Sequence, residues 1–206
     1  MARFADRTVA DFLDALASSD PTPGGGTAAA VAGAMGVSLL MMVAGLGKSR
    51  TNAETERPAL SEARAALASI RGRLLTLADT DTEAFNEVMA AYRLPKSTDE
   101  EKSARKHAVQ RALRAATDAP LETLRTVVEA MKHARIVATH GSRAAASDVR
   151  VALELLEAAA AGAAANVEIN LVSMDDEAFK KATASDVLER TNQMTEDAAS
   201  ARAALA

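Results

Sequence analysis

Thr27 to Gly47 reads TAAAVAGAMGVSLLMMVAGLG, twenty-one residues without a charge. That is about the length of a bilayer span, so the fold turns on whether lipid or protein covers it. Much of its apolar character comes from Ala and Gly, which add little to insertion, and no Trp or Tyr marks its edges. The segment therefore reads as a central helix, Thr27 to about Gly45, buried on all sides by other helices. Gly33 and Gly36 would let neighbouring backbones come close. No membrane association is expected.

The rest of the chain supplies the covering helices. A first helix is predicted from about Val9 to Ser18, with a capping-box-like start at Thr8 and Asp11 and an apolar side of Phe12, Leu13 and Leu16. Two prolines and three glycines in Asp20 to Gly26 cannot continue it. A long helix from about Pro58 to Tyr92 carries Leu60, Ala63, Leu67, Ile70, Leu74, Leu77, Ala84, Val88 and Ala91 at steps of mostly three and four, a packed seam. Pro95 ends it. A charged helix follows, Thr98 to Thr117, with one solvated face. Pro120 opens a fifth helix, where its missing N–H costs nothing, and Gly141 stops it. A sixth runs from about Ser147 to Val172 and a seventh from about Asp176 to Ala204.

The expected architecture is all-α: one domain, residues 1–206, a compact bundle of about seven helices with long buried central helices. Composition agrees. Only 2% of the 206 residues are aromatic and none is Trp, which argues against a β-sandwich or barrel. There is no cysteine, which excludes disulfides, Cys-ligated metals and a thiol nucleophile. The net charge of -4 is spread without a polybasic run, so nucleic acid is not an expected partner. No secretory signal follows Met1, and a cytoplasmic location is expected. Two long small-residue helices in so short a chain hold more apolar surface than one protomer covers, so a homodimer is expected.

Candidate site residues fall in six places. Gly24, Gly25 and Gly26 with Thr27, after Pro23, form a turn before a helix, read either as a flexible capped turn or as an anion site at a helix N-terminus. Continuing the long seam four residues from Leu77 lands on Asp81, between Leu77 and Ala84. A carboxylate there is costly unless paired or useful: it meets an Arg, drifts to the surface, or serves as a general acid or base. Asn166 and Asn170 share a face of the sixth helix, either in a helix–helix hydrogen-bond network or reading the donor and acceptor edge of a heterocycle. Ser147 is a natural N-cap and Asp148 a dipole-stabilised carboxylate. Tyr92, Pro95 and Lys96 cluster at a helix end. Gly47-Lys48-Ser49 lacks the first glycine and the preceding strand of a phosphate loop, although Lys48 and Arg50 remain possible anion contacts. His107, His133 and His140 have no metal-ligand spacing, and no metal is expected.

Four stretches, DFLDALASSDPTPGGGTAAA from Asp11, DTEAFNEVMAAYRLPKSTDEEKSAR from Asp81, SD at Ser147 and AANVEIN from Ala164, together resemble the formiminotransferase-cyclodeaminase and methenyltetrahydrofolate cyclohydrolase family, in family order. The chain departs from the family pattern at residues 44–51 and 142–144. The resemblance implies an all-helical homodimer whose substrate is a tetrahydrofolate derivative carrying a one-carbon unit, used without a metal. It implies either closure of 5-formiminotetrahydrofolate with loss of ammonia or hydrolysis of 5,10-methenyltetrahydrofolate. On this reading Asp81 or Asp148 moves the proton, Lys96 and Tyr92 assist or bind, and Asn166 and Asn170 read the pterin. Pro23, Gly24, Gly25, Gly26, Lys48, Arg105 and Ser147 complete the substrate site. The alternatives are a non-catalytic helical scaffold and related amidine chemistry on another small molecule.

Overall fold

Leu60, Ala63, Leu67, Ile70 and Leu74 are all buried along one side of a helix running Glu56–Tyr92, as their three-and-four spacing requires. The computed structural model describes residues 3–205. Within them lie α1 (Val9–Ala17), α2 (Gly25–Ala44), α3 (Glu56–Tyr92), α4 (Asp99–His140), α5 (Ala146–Val172) and α6 (Glu177–Ala204), with short 3-10 turns at Phe4–Asp6 and Arg143–Ala145. The only β pairing among the described residues is an isolated bridge between Ser49 and Gly141.

Four helices make the core. α2 runs antiparallel to α3, with Thr27 beside Asp81 and Gly45 against Arg64. It also runs antiparallel to α5, where a β-carbon on Gly33 or Gly36 would strike Val127 and α5 respectively. The two glycines thus let α2 sink between its neighbours, as expected. Eleven residues of α2 are buried, including Val37, Leu40 and Val43. α2 and the segment Arg143–Val172 have the length and hydropathy of membrane spans. α2 packs against α3, α4 and α5 but is not buried on all sides as expected, because no helix among the described residues covers the face bearing the exposed Met35 and Met42. α3 and α4 form an antiparallel hairpin pinned by Arg73 with Glu129 and by Arg105 on the Tyr92 carbonyl. α6 lies along α4, held by Arg125 with Asp186, and meets α5 through Arg202 with Glu154 and Glu157.

The described residues hold six α-helices, not about seven, because the predicted fourth and fifth are one. α4 runs through Pro120 without a break. A proline inside a helix leaves the carbonyl four residues back without its N–H partner. Here that carbonyl belongs to Ala116, and Asn170 Nδ2 of α5 donates to it at 2.8 Å. The vacancy is filled from a neighbouring helix, so the expected boundary disappears.

Smaller differences have similar causes. α2 starts two residues earlier than expected, taking Gly25 and Gly26 into its first turn. α3 starts at Glu56, whose buried carboxylate accepts from Ser49 Oγ at 2.6 Å and from Thr51. Ser147 is not an N-cap: α5 begins at Ala146 after the turn Arg143–Ala145, and no side chain caps it. Thr8 does cap α1, accepting from the Asp11 N–H. Yet α1 buries none of its residues, and Leu13 is 56% exposed.

Candidate active site

One end of the core opens into a cleft of about 310 Å³. The loop before α2 contributes Pro21, Thr22 and Gly24, and the first turn of α2 contributes Gly25 and Gly26. α3 supplies Asp81, Phe85 and Val88, α4 supplies Ala116, and α5 supplies Asn166, Ile169 and Asn170. Three of the six predicted clusters therefore meet, though 145 residues separate Gly25 from Asn170.

Asp81 is the cleft's only ionisable side chain among the described residues. No Arg pairs with it. Its partner is the fully buried Thr27, whose hydroxyl donates to Oδ2 at 2.9 Å and lies 3.1 Å from the Thr82 hydroxyl. Burial pushes the Asp81 carboxyl above its ordinary value of 3.8, while hydrogen bonds from the Thr27 side chain and backbone pull the other way. α2 has no side-chain cap of its own, since Gly24 holds the N-cap position. Asp81 reaches across from α3 and places its negative charge at that N-terminus, where the helix dipole favours it.

The glycines are what make this approach possible. A β-carbon on Gly26 would lie 2.7 Å from Asp81 Cγ, and one on Gly25 would lie 3.3 Å from Asn166 Nδ2. Any side chain at Gly26 would displace the carboxylate. The turn serves here as a seat for Asp81 rather than as a flexible linker.

Both asparagines anchor their amide nitrogens on backbone carbonyls. Asn166 Nδ2 donates to the Gly162 carbonyl at 2.8 Å, and Asn170 Nδ2 to that of Ala116. The two amide oxygens accept no hydrogen bond among the described residues. The cleft wall consequently carries a carboxylate and two unpaired amide oxygens as acceptors, with Phe85, Val88 and Ile169 offering apolar surface. Such a wall suits a flat ring whose edge bears N–H groups or positive charge.

Other predicted residues lie elsewhere. Tyr92 and Lys96 line a second hollow of about 320 Å³ with Lys102, Arg105, Lys106, Val109 and Gln110. Tyr92 continues the α3 face of Asp81, Phe85 and Val88 but sits about 16 Å further along the helix axis. This basic hollow lies beyond the cleft's α3 wall. Pro23 is buried in the loop behind the glycines. Ser147 and Asp148 lie in the first turn of α5, about 27 Å along the axis from Asn166. Lys48 is exposed beyond the far end of α2. Arg50, also at that end, donates to the carbonyls of Ala138 and Ala204. Within one protomer, these residues do not join Asp81. Among the described residues no group of three or more His, Cys, Asp or Glu is gathered as metal ligands would be.

Sequence reading missed Thr27 as a partner of Asp81, and Phe85, Val88, Ala116 and Ile169 as cleft walls. Phe85 sits four residues after Asp81, a same-face spacing that could have revealed it. Nothing in the spacing marks Ala116.

The sequence model of the formiminotransferase-cyclodeaminase family matches residues 8–189. A methenyltetrahydrofolate cyclohydrolase from Methylorubrum extorquens is 43% identical over 174 residues, covering 84% of each chain. A formimidoyltransferase-cyclodeaminase from Gallus gallus is 34% identical over 84% of this chain, which spans only 32% of that longer protein. The crystal structure of formiminotetrahydrofolate cyclodeaminase from Thermotoga maritima superimposes with a TM-score of 0.87 at 29% identity, covering 98% of this chain and 96% of that one.

Proposed function

We infer the activity from one premise, that this chain belongs to the formiminotransferase-cyclodeaminase family, and from the chemistry of its cleft. The protein is a folate one-carbon enzyme acting at the carbon held between two nitrogens of tetrahydrofolate. Of the two member reactions, hydrolysis of 5,10-methenyltetrahydrofolate to 10-formyltetrahydrofolate is favoured. The cyclohydrolase relative matches at 43% identity over 84% of both chains.

The observation that carries this reading is the lone, half-buried Asp81 in a cleft that also offers two unpaired amide oxygens. In hydrolysis, water adds to the methenyl carbon and loses a proton; the carbon–N5 bond then breaks as N5 gains one, and the remaining hydroxyl proton leaves to solvent as the formyl carbonyl forms. Asp81 takes the first proton and returns it to N5. A carboxyl whose ordinary value is raised by burial is suited to both transfers near neutral pH. The methenyl group is a cationic amidinium, and the Asp81 charge stabilises it on binding. In cyclodeamination the same group would relay the N10 proton to departing ammonia. Asn166 and Asn170 accept from N–H groups of the pterin. Arg105 and Lys96, in the neighbouring basic hollow, attract the glutamate carboxylates, and Tyr92 offers a ring face there. Asp148 and Lys48, at the far end of the bundle, have no part in the chemistry within one protomer.

The working unit is a homodimer formed through α2 and α5. Val151, Leu155, Ala158, Gly162, Ala165, Ile169 and Val172 repeat at alternating steps of four and three along the outer side of α5, with no charge among them. Met35 is 56% exposed, Ile169 66% and Val172 75%. A largely apolar groove of about 580 Å³ lies between the Val151–Leu155 end of this stripe, Val31, Met35 and Leu39 of α2, and Arg71 and Leu75 of α3. Ile169 belongs to both stripe and cleft, so pairing would shield the cleft from water.

Purified protein assayed with each folate tests the reading, because the methenyl absorbance falls in hydrolysis and rises in cyclodeamination. Turnover of methenyltetrahydrofolate is expected, together with thermal stabilisation by folinic acid. Absence of both activities and of any thermal shift would overturn it.

A further inference from the structure

Pro120 lies buried in the middle of α4. Its ring has no N–H, so the Ala116 carbonyl four residues back cannot be closed from within the helix. Ala116 lines the cleft, and its carbonyl is taken by Asn170 Nδ2 at 2.8 Å. The amide nitrogen of an asparagine carries two N–H donors and its oxygen accepts. Holding one N–H on Ala116 fixes which way the Asn170 amide points and leaves its oxygen unpaired for a guest.

We propose that Pro120 is a positioning residue that determines specificity through Asn170: by baring the Ala116 carbonyl it anchors the Asn170 amide nitrogen, and so holds the amide oxygen ready for a donor-bearing edge. The inference rests on the folate reading for its substrate, but the device itself is read from α4 and α5. Asn166 shows the same polarity by a local route, its Nδ2 held by Gly162 one turn earlier on its own helix. Asn170 has no such intrahelical bond, so its orientation depends on α4. Asp81 lines the same cleft and adds a further acceptor. A ring bearing an exocyclic amine and an adjacent ring N–H fits, whereas an analogue carrying acceptors at those positions leaves these oxygens unpaired.

In Pro120→Ala, the new residue's N–H competes for the Ala116 carbonyl and the Asn170 amide is no longer pinned. The expected result is a KM for methenyltetrahydrofolate about 10-fold higher with kcat little changed, and a melting temperature that holds or rises because a helical bond is restored. Asn170→Leu, with Pro120 in place, is expected to raise KM by a similar factor. Because Pro120 acts through Asn170, Pro120→Ala should then have no further effect on KM in the Asn170→Leu background. Independent, multiplying effects in the double variant would overturn the proposal, as would an unchanged KM in Pro120→Ala. Should Pro120→Ala fail to fold, Asn170→Leu decides alone: an unaltered KM there removes the acceptor role. An inactive wild-type protein that folinic acid does not stabilise would instead overturn the folate reading, which separates the two failures.

Discussion

The Asp81 carboxylate occupies the space that a side chain on Gly26 would need: a β-carbon there would come within 2.7 Å of Cγ and 2.8 Å of Oδ2. A residue from the middle of α3 thus serves as the missing cap of α2, and the cleft's one charge is set by how closely two backbones approach.

Gly26→Ala tests that contact. The added methyl must push Asp81 or the start of α2 aside, and the first turn has little room to yield. Overpacking of this kind costs about 1–3 kcal/mol. A displacement of the order of 1 Å at a catalytic group costs roughly 100-fold in turnover. Thermal denaturation and steady-state kinetics on one preparation should show both losses.

Asp81→Asn should separate activity from stability. Turnover is expected to fall by about 10²–10⁴-fold. Stability should move the other way at neutral pH. Because burial raises the folded-state value above 3.8, the ionised group weakens the fold as pH climbs from 3.8 through that raised value, and fully so above it. Asn removes this cost and can still accept from Thr27. Its melting temperature is therefore expected to exceed wild type near pH 7, and the advantage should vanish below pH 3.8. Lower stability at neutral pH would contradict the assignment of burial as the dominant influence.

Glu56 should show the opposite pH dependence. The Ser49 hydroxyl, helped by the Thr51 N–H and hydroxyl, holds its carboxyl down at about 2 against the opposing effect of burial. Its contribution is complete above pH 4.5 and is lost as the pH falls through about 2. Glu56→Gln should be less stable than wild type at neutral pH, with the gap narrowing below pH 4.5. Urea denaturation across a pH series measures it.

Met35→Glu places a charge in the apolar groove between α2 and α5. The wild-type chain is expected to have a dimer mass by light scattering and the variant a monomer mass, with reduced turnover because Ile169 and the cleft beside it become wetter. A monomeric wild type at micromolar concentration would end the dimer proposal.

Much of the bundle was legible because its signals are local. The three-and-four spacing of Leu60 through Leu74 depends on helix geometry alone, and the helix burying those residues is the one observed. Asp81 on the same seam was recognisable as anomalous for that reason. Thr27 was not recognisable as its partner, because α2 meets α3 at a point no spacing records. Pro120 misled for a related reason. A break is the correct inference from one helix considered alone, and the donor that repairs it arrives from Asn170, fifty residues later. Asp148 shows the converse: its sequence neighbourhood matched the family, yet its turn of α5 lies at the far end from Asn166.

Chain order and side-chain periodicity by themselves determined that this protein is helical, which faces are apolar, that a run of glycines marks the start of the central helix, and that a carboxylate and two amides lie among aliphatic residues. Only the packed structure decided that these groups share one cleft, that Thr27 rather than an arginine answers Asp81, and which end of Asn170 is free. Periodicity fixes where a side chain lies around its own axis, while the contacts it makes depend on the separation and register of whole helices, quantities summed over dozens of distant residues.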